Sequence, residues 1–203
     1  IKSEFVVNCA GLWGREIGLM AGVNVPLFAA EHFYIVTEEI GLPSKMPVLR
    51  DPTGWIYAKE DAGKMLVGSF EPKSKPRPLH TIPIDFSFGQ FPDDWEHFEP
   101  SMINAIHRMP KLEDAGIQTF FNGPESFTPD NRYILGETPE LKNFFVAAGF
   151  NSIGIQSAGG AGKALSEWLV NGHPTMDLSD VDIRRFHPFQ GNSKYLEERT
   201  SEA

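Results

Sequence analysis

The richest chemistry in the sequence lies in Val146-Ala-Ala-Gly-Phe-Asn-Ser-Ile-Gly-Ile-Gln-Ser-Ala-Gly-Gly-Ala-Gly162, where a strand composition runs into a glycine turn and then a helix. Backbone amides at such a helix start, with the helix dipole behind them, favour partial or full negative charge on a bound group. Gly154, Ala158 and Gly162 recur at helical spacing and leave one face nearly bare. That face suits a flat ring or close packing against a sheet, and the spacing alone leaves both open. Nothing in the sequence matches G-x-G-x-x-G after a strand or a P-loop, so a complete nucleotide-gripping site is absent. A second strand, turn and helix opens the chain: Glu4-Phe-Val-Val-Asn8, then Cys9 to Met20, with Gly11 in the turn.

The titratable residues give weaker signals. His32 sits alone in an apolar strand, where a satisfied structural histidine is the ordinary finding. His97 and His107 ride a helical pattern, His80 lies among prolines, and His173 and His187 fall late; none makes a metal-ligand spacing, and no metal is expected. Cys9 is the only cysteine, which excludes an internal disulfide and a zinc-finger type thiolate site. Glu125 and Asp130 flank a loop that their side chains are suited to cap.

The elements that must position these residues read as follows. Short runs at His32–Thr37, Met46–Arg50, Trp55–Lys59 and Met65–Phe70, separated by Asp51-Pro-Thr-Gly54 and Glu60-Asp-Ala-Gly-Lys64, predict an antiparallel meander. Pro72 to Pro83 reads as an irregular loop. Asp93 or Asp94 is placed to cap a helix through Trp95, Phe98, Met102, Ile106 and Met109, with Pro100 expected to kink or restart it. Ile117–Phe121 reads as a strand, Asn122 to Asp130 as a loop, Tyr133–Leu135 and Asn143–Ala148 as strands, and a last helix runs from about Ile155 to a stop at Gly172. The formal charge of -9 and pI near 5.1 argue against a nucleic-acid or anionic-membrane surface. No run of about 18 apolar residues occurs, so no membrane segment is expected. The sequence enters on a strand without an initiator methionine and stops in a charged helical stretch, and both ends read as cut.

Five short segments in order carry a resemblance across the whole chain: Asn8-Cys-Ala-Gly-Leu-Trp13, His32-Phe-Tyr-Ile-Val-Thr37, Gly123-Pro-Glu-Ser-Phe-Thr-Pro-Asp130, Gly149-Phe-Asn-Ser152 and Asp182-Ile-Arg-Arg-Phe186. The sequence resembles the sarcosine and dimethylglycine dehydrogenase branch of the D-amino-acid-oxidase (DAO) superfamily, without the N-terminal FAD fingerprint. The resemblance implies an α/β fold with an α+β part: the C-terminal portion of a DAO-like FAD-binding domain plus an antiparallel-sheet substrate-binding domain. It implies FAD-dependent oxidative demethylation of an N-methyl glycine derivative, sarcosine or dimethylglycine, by hydride transfer to flavin. His32 and Tyr57 are implied to face the substrate; Arg50 and Lys59, read from their own charge, are cations near the same hairpin able to pair with its carboxylate, although solvated surface charge is the commoner role of such residues. Cofactor-binding residues implied are Cys9, Ala10, Gly11, Leu12 and Trp13 along the FAD, Pro129 and Asp130, and Gly149, Asn151, Ser152, Ile153, Gly154 and Ile155 beside the flavin. The loop before Thr128 lacks the cysteine through which some relatives attach flavin. Gln156 stands where oxidase relatives carry a lysine, which favours a dehydrogenase with an electron-transfer flavoprotein as acceptor. Tetrahydrofolate would belong to a C-terminal domain outside this chain.

The expected organisation is residues 1–24 returning to the FAD-binding domain, 25–121 as the substrate domain, 122–173 again in the FAD-binding domain, and 174–203 beginning a linker or next domain, exposed or poorly ordered on its own. The location expected is cytoplasmic for a bacterial parent and the mitochondrial matrix for a eukaryotic one. Asp94-Trp-Glu-His-Phe-Glu-Pro100 and Arg108-Met-Pro-Lys-Leu-Glu113 are similar to the regulatory subunit of pyruvate dehydrogenase phosphatase, which keeps a non-catalytic alternative open.

Overall fold

The computed structural model describes residues 2–83 and 85–200. The chain forms two compact units, one from the N-terminus to Ala30 with Pro76–Ile82 and everything from Glu125 onward, the other from Glu31–Lys75 and Pro83–Pro124.

In the first unit, strand β1 (Val6–Asn8) pairs in parallel with a later strand (Phe144–Ala148), which pairs antiparallel with Ile134–Glu137. A 3-10 turn at Gly11–Trp13 leads from β1 into helix α1 (Gly14–Met20). Both faces of this small sheet are covered, as a continuously apolar strand such as Phe-Phe-Val-Ala-Ala requires. One face buries Val23, Val25, Leu27, Ile134, Phe144, Val146 and Ile183; the other buries Leu135 and Phe145 under Ala161, Ala164, Leu165 and Trp168 of the long helix Gly154–Asn171. Gly172 ends that helix at φ 77, in the left-handed cap the sequence places there. β1 lies at an edge of the sheet, with Val6 45% and Val7 39% exposed.

The second unit holds most of an antiparallel sheet. Strand β2 (Phe28–Thr37) enters it from the first unit, followed by β3 (Leu49–Asp51), β4 (Ile56–Asp61), β5 (Lys64–Ser69) and β6 (Lys75–Arg77), in the spatial order β3-β4-β5-β2-β6. β4 and β5 are joined at Ala62 and Gly63, both at positive φ, the two-residue turn whose twist suits a tight hairpin. Helix α2 (Trp95–Arg108) is capped by Asp94, whose carboxylate accepts from the His97 amide at 3.1 Å. Its apolar stripe packs Phe98 and Ala105 on one sheet face with Phe33, Ile35, Ile56, Ala58, Met65, Val67, Leu112 and Phe120. Numbered in order, the remaining elements are β7 (Ile117–Phe127), which pairs with β2, then β8 (Ile134–Glu137), β9 (Phe144–Ala148), α3 (Gly154–Asn171) and α4 (Ser193–Thr200).

The structure departs from the sequence expectations at four places. β7 continues to Phe127 through the segment read as a loop from Asn122, because the buried Asn122 amide donates to Glu31 at 2.7 Å and to the Pro92 carbonyl at 3.0 Å, holding the chain extended. Pro72 to Pro83 is not wholly irregular: it contains β6 and a 3-10 turn at Leu79–Thr81. α2 runs unbroken past Pro100, whose missing N–H falls on an exposed face while Phe98, Ser101 and Ala105 are buried on either side. The tail expected to be exposed is packed within its unit: Asp182 bridges to Leu135 on β8, and Ile183 and Leu196 are buried.

Candidate functional site

On β2 the side chains alternate. Phe33 and Ile35 point into the core beneath α2, which puts His32, Tyr34 and Val36 on the opposite face of the sheet. The β4–β5 register sets Tyr57 opposite Gly68, and Arg50 of β3 opposite Tyr57, so both share a row with that face. These side chains meet around Phe70. Its ring lies 5.6 Å from that of His32 and 5.4 Å from that of Tyr57, and the Arg50 guanidinium stands 4.2 Å above its centroid. The Tyr57 ring in turn lies across the bare backbone of Gly68, where an added Cβ would come within 2.2 Å of its hydroxyl. Tyr34 stacks on Phe121 at 4.7 Å on the same face of β2. Lys59 is exposed on β4, two residues past Tyr57.

This is an aromatic surface carrying an imidazole, a phenol and a guanidinium. A guanidinium recognises a carboxylate through a fork of donors, and aromatic faces attract a cationic or partly cationic amine. The residues expected at the substrate, His32 and Tyr57, are thus brought together, with Arg50, by a residue the sequence did not single out. Phe70 falls just past β5, and strand alternation continued from Gly68 would have placed it on this face.

The turns of the first unit are set by hydrogen bonds. Asn8 is buried; its amide donates to the Gly14 carbonyl at 2.7 Å and its oxygen accepts from Ala10 N–H at 3.2 Å, fixing the turn that carries Cys9, Ala10, Gly11, Leu12 and Trp13. Gly11, at φ +54, has open space where a Cβ would project. Cys9 is exposed at its surface, and partial burial of its thiol raises the pKa.

At the other turn Gly149, Asn151 and Ser152 stand at φ 63, 47 and 65, and a Cβ at Gly149 would come 2.5 Å from Leu27. Only glycine fits there without displacing a core side chain. Asn151 accepts from Thr128 N–H at 3.0 Å, and Glu125 accepts from the Ser152 amide at 2.8 Å and from its hydroxyl. Glu125 therefore serves as the cap of this turn. Asp130 receives two hydrogen bonds from Arg185, at 2.7 and 3.0 Å, beside the buried Pro129.

α3 then begins after Ile153 with no side-chain cap, and Ile155 is fully exposed. Of the bare face anticipated from spacing, Ala158 and Gly162 are exposed, while a Cβ added at Gly154 would touch Phe150 at 3.6 Å; Ala161, Ala164, Leu165 and Trp168 do the packing. Uncapped amides at the head of an 18-residue helix favour negative charge on a group bound there. Among the described residues no group of His, Cys, Asp and Glu is arranged to hold a metal, and no helix is long and apolar enough to cross a membrane.

Two findings that the sequence reading missed lie behind Phe70. Glu71 sits 3.3 Å from His97 Nε2, and Lys75 bridges towards Asp94 and Glu31. Burial penalises the Glu71 carboxylate, but hydrogen bonds from His97 and Ser69 outweigh it and lower its pKa; the hydrogen bond to Glu71 raises that of His97.

The fold is of a class found among FAD-dependent oxidoreductases. Residues 1–168 match the family described as FAD dependent oxidoreductase, and 171–203 match FAD dependent oxidoreductase central domain. The chain belongs to the FAD-dependent oxidoreductase (DAO) family. It is 48% identical over its full length to 4-methylaminobutanoate oxidase (formaldehyde-forming) of Paenarthrobacter nicotinovorans, of which it spans 24%, and 42% identical to mitochondrial sarcosine dehydrogenase of Mus musculus, of which it spans 22%. The mitochondrial pyruvate dehydrogenase phosphatase regulatory subunit of Mus musculus is 39% identical, with 23% of its length spanned. The fold is similar to that of L-proline dehydrogenase from P. horikoshii, with a TM-score of 0.76, 22% identity, and 92% of this chain and 48% of that one covered.

Proposed function

We propose that the parent protein oxidises the N-methyl amine of a small carboxylate-bearing substrate, of the sarcosine or dimethylglycine kind, and that the His32–Tyr57–Arg50 face receives that substrate. The convergence of these three side chains on Phe70 carries the reading. Bound FAD would supply the acceptor for the hydride that leaves the N-methyl carbon. The Cys9–Trp13 turn, Pro129, Asp130, Gly149 and Asn151 to Ile155 are the residues proposed to hold it. The diphosphate grip lies outside this chain's motifs.

Each polar side chain then has a distinct task. Arg50, steadied on the Phe70 face, pairs with the substrate carboxylate. The Tyr57 hydroxyl holds the amine or carboxylate in register. Hydride departs only from an amine whose nitrogen lone pair is free to stabilise the developing cation, so the proton of an ammonium substrate must go elsewhere first; the His32 imidazole takes it in this reading. The aromatic surroundings exclude water and favour the cationic imine as it forms.

Gln156 in place of a lysine supports an electron-transfer flavoprotein as acceptor, and tetrahydrofolate would act on a part beyond this chain. Mitochondrial naming of the animal relatives supports a matrix location for a eukaryotic parent. Residues 174–203 are proposed to begin a further domain, a reading supported by the separate family match from residue 171. The match to the phosphatase regulatory subunit supports the second reading, a binding protein without turnover. The test is anaerobic mixing of the FAD-loaded full-length parent with sarcosine, dimethylglycine and 4-methylaminobutanoate, followed at the flavin absorbance band. Bleaching by one or more supports the enzyme; tight FAD binding with no bleaching by any of them favours the binding protein.

A further inference from the structure

We infer that Glu71 and His97 form a positioning pair that holds His32 and fixes the charge it feels. The inference rests on the reading of His32 as the proton acceptor for the substrate amine.

Adjacency on two strands joins this pair to the site. His32 and Phe70 lie together on the open face of the sheet, their rings 5.6 Å apart. Their immediate chain neighbours, Phe33 and Glu71, serve the other side: Phe33 packs against the His97 ring at 5.1 Å, and Glu71 hydrogen-bonds that same ring at 3.3 Å. His97 thus clamps the backbone beneath both site residues at once. Glu71 is nearly enclosed, its side chain 12% exposed, and its second oxygen accepts from the Ser69 hydroxyl at 2.9 Å, so the carboxylate has little freedom to turn away. It also lies within electrostatic reach of His32.

The charges facing the pair come from every element around it. Asp94, at the start of α2, favours protonated His97 and Lys75 on β6 opposes it; Lys75 is itself held by Asp94 and lies 3.9 Å from Glu31. On the open face, Arg50 and Tyr57 share Phe70 with His32. Glu71 and a protonated His97 carry opposite charges 3.3 Å apart, so removing His97 leaves the carboxylate unbalanced beneath the site, and removing Glu71 takes that negative charge away.

Loss of either charge moves the profile in opposite directions, which loss of packing does not. In the full-length FAD-loaded protein, the midpoint of the pH profile for flavin reduction by sarcosine or whichever N-methyl substrate bleaches it should move to higher pH in His97→Gln. In Glu71→Gln it should move to lower pH, each by about half a unit, a threefold change in the protonation equilibrium. Methoxyacetate, an ether that cannot be oxidised at nitrogen, gives a second readout: the pH dependence of its binding, followed by the change in flavin absorbance, should move in the same two directions. Glu71→Asp should restore the wild-type midpoint in both measurements. Ser69→Ala, which frees one oxygen of the same carboxylate, replaces Glu71→Gln if that variant loses FAD. Shifts of equal sign, or none in either measurement, overturn the inference. His32→Ala separates the two ideas: a profile unchanged by that substitution defeats the reading of His32 itself, whereas a profile changed by it but not by the pair defeats only the inference made here.

Discussion

Replacing Gly68 with alanine tests the site without touching any group proposed to meet the substrate. The added Cβ would lie 2.2 Å from both Cζ and the hydroxyl of Tyr57 and 2.6 Å from Cε1, against an ordinary contact of about 3.5 Å or more. The ring must therefore retreat by roughly 1 Å or swing away altogether, and Phe70 at 5.4 Å limits where it can go. Because the obstacle is the far end of a side chain and not backbone, the fold should tolerate the change with a modest fall in melting temperature, softened by the lower chain entropy of alanine in the unfolded state. The positional error is another matter: about 1 Å of misplacement costs on the order of a hundredfold in rate, or about 2.7 kcal/mol of barrier. Anaerobic stopped-flow reduction of the FAD-loaded parent measures this directly, with Tyr57→Phe as the companion expected to lose at least about tenfold. Reduction of Gly68→Ala within a factor of about three of wild type would refute the placement of Tyr57 at the substrate.

Three further outcomes follow from the same geometry. Arg50→Gln should raise KM for carboxylate substrates by about tenfold or more, the usual worth of a hydrogen bond to a charged group, while N-methyl amines lacking the carboxylate should show no such change; equal losses for both would remove Arg50 from carboxylate binding. Glu125→Gln leaves the Ser152 amide and hydroxyl with a weaker acceptor, and FAD should dissociate several-fold faster in a dilution experiment, with no change expected if the Asn151–Ser152 turn does not touch the cofactor. For stability, His97 has a raised pKa, so its contribution is full below about 6.5 and fades as pH rises through the folded-state value; Glu71 has a lowered pKa, so its contribution is full above about 4.5 and fades as pH falls through its own. The melting-temperature gap between wild type and His97→Gln should therefore be widest between these limits and narrow above neutral pH, and a gap that widens with rising pH would contradict the pairing.

What the sequence made legible was local. The turn at Ala62-Gly63, the cap by Asp94 and the stop at Gly172 each depend on a few neighbouring residues whose backbone preferences are strong. His32 and Tyr57 became candidates through resemblance to a family, since their meeting depends on the register of β2, β4 and β5, which periodicity alone does not set. Phe70 was overlooked because its importance lies in contacts with three residues from three strands. The extension of β7 was hidden by Gly123 and Pro124, which signal a turn, while the interaction that keeps the segment straight joins Asn122 to Glu31, 91 positions away in sequence. Glu71 drew no reading in the sequence, and His97 read only as a helix histidine, until the fold brought them together.

The edge formed by β1 has a practical consequence. Val6 and Val7 are substantially exposed on a strand hydrogen-bonded on one side by β9, with no described strand on its other side. Such a margin offers a row of backbone donors and acceptors, flanked by apolar side chains, to any extended segment in solution. Produced by itself, this chain should seed its own association as concentration rises, with scattering that grows with protein and falls when a charge replaces Val7. Bench handling would then be governed by strand addition at that margin, not by the stability of either core.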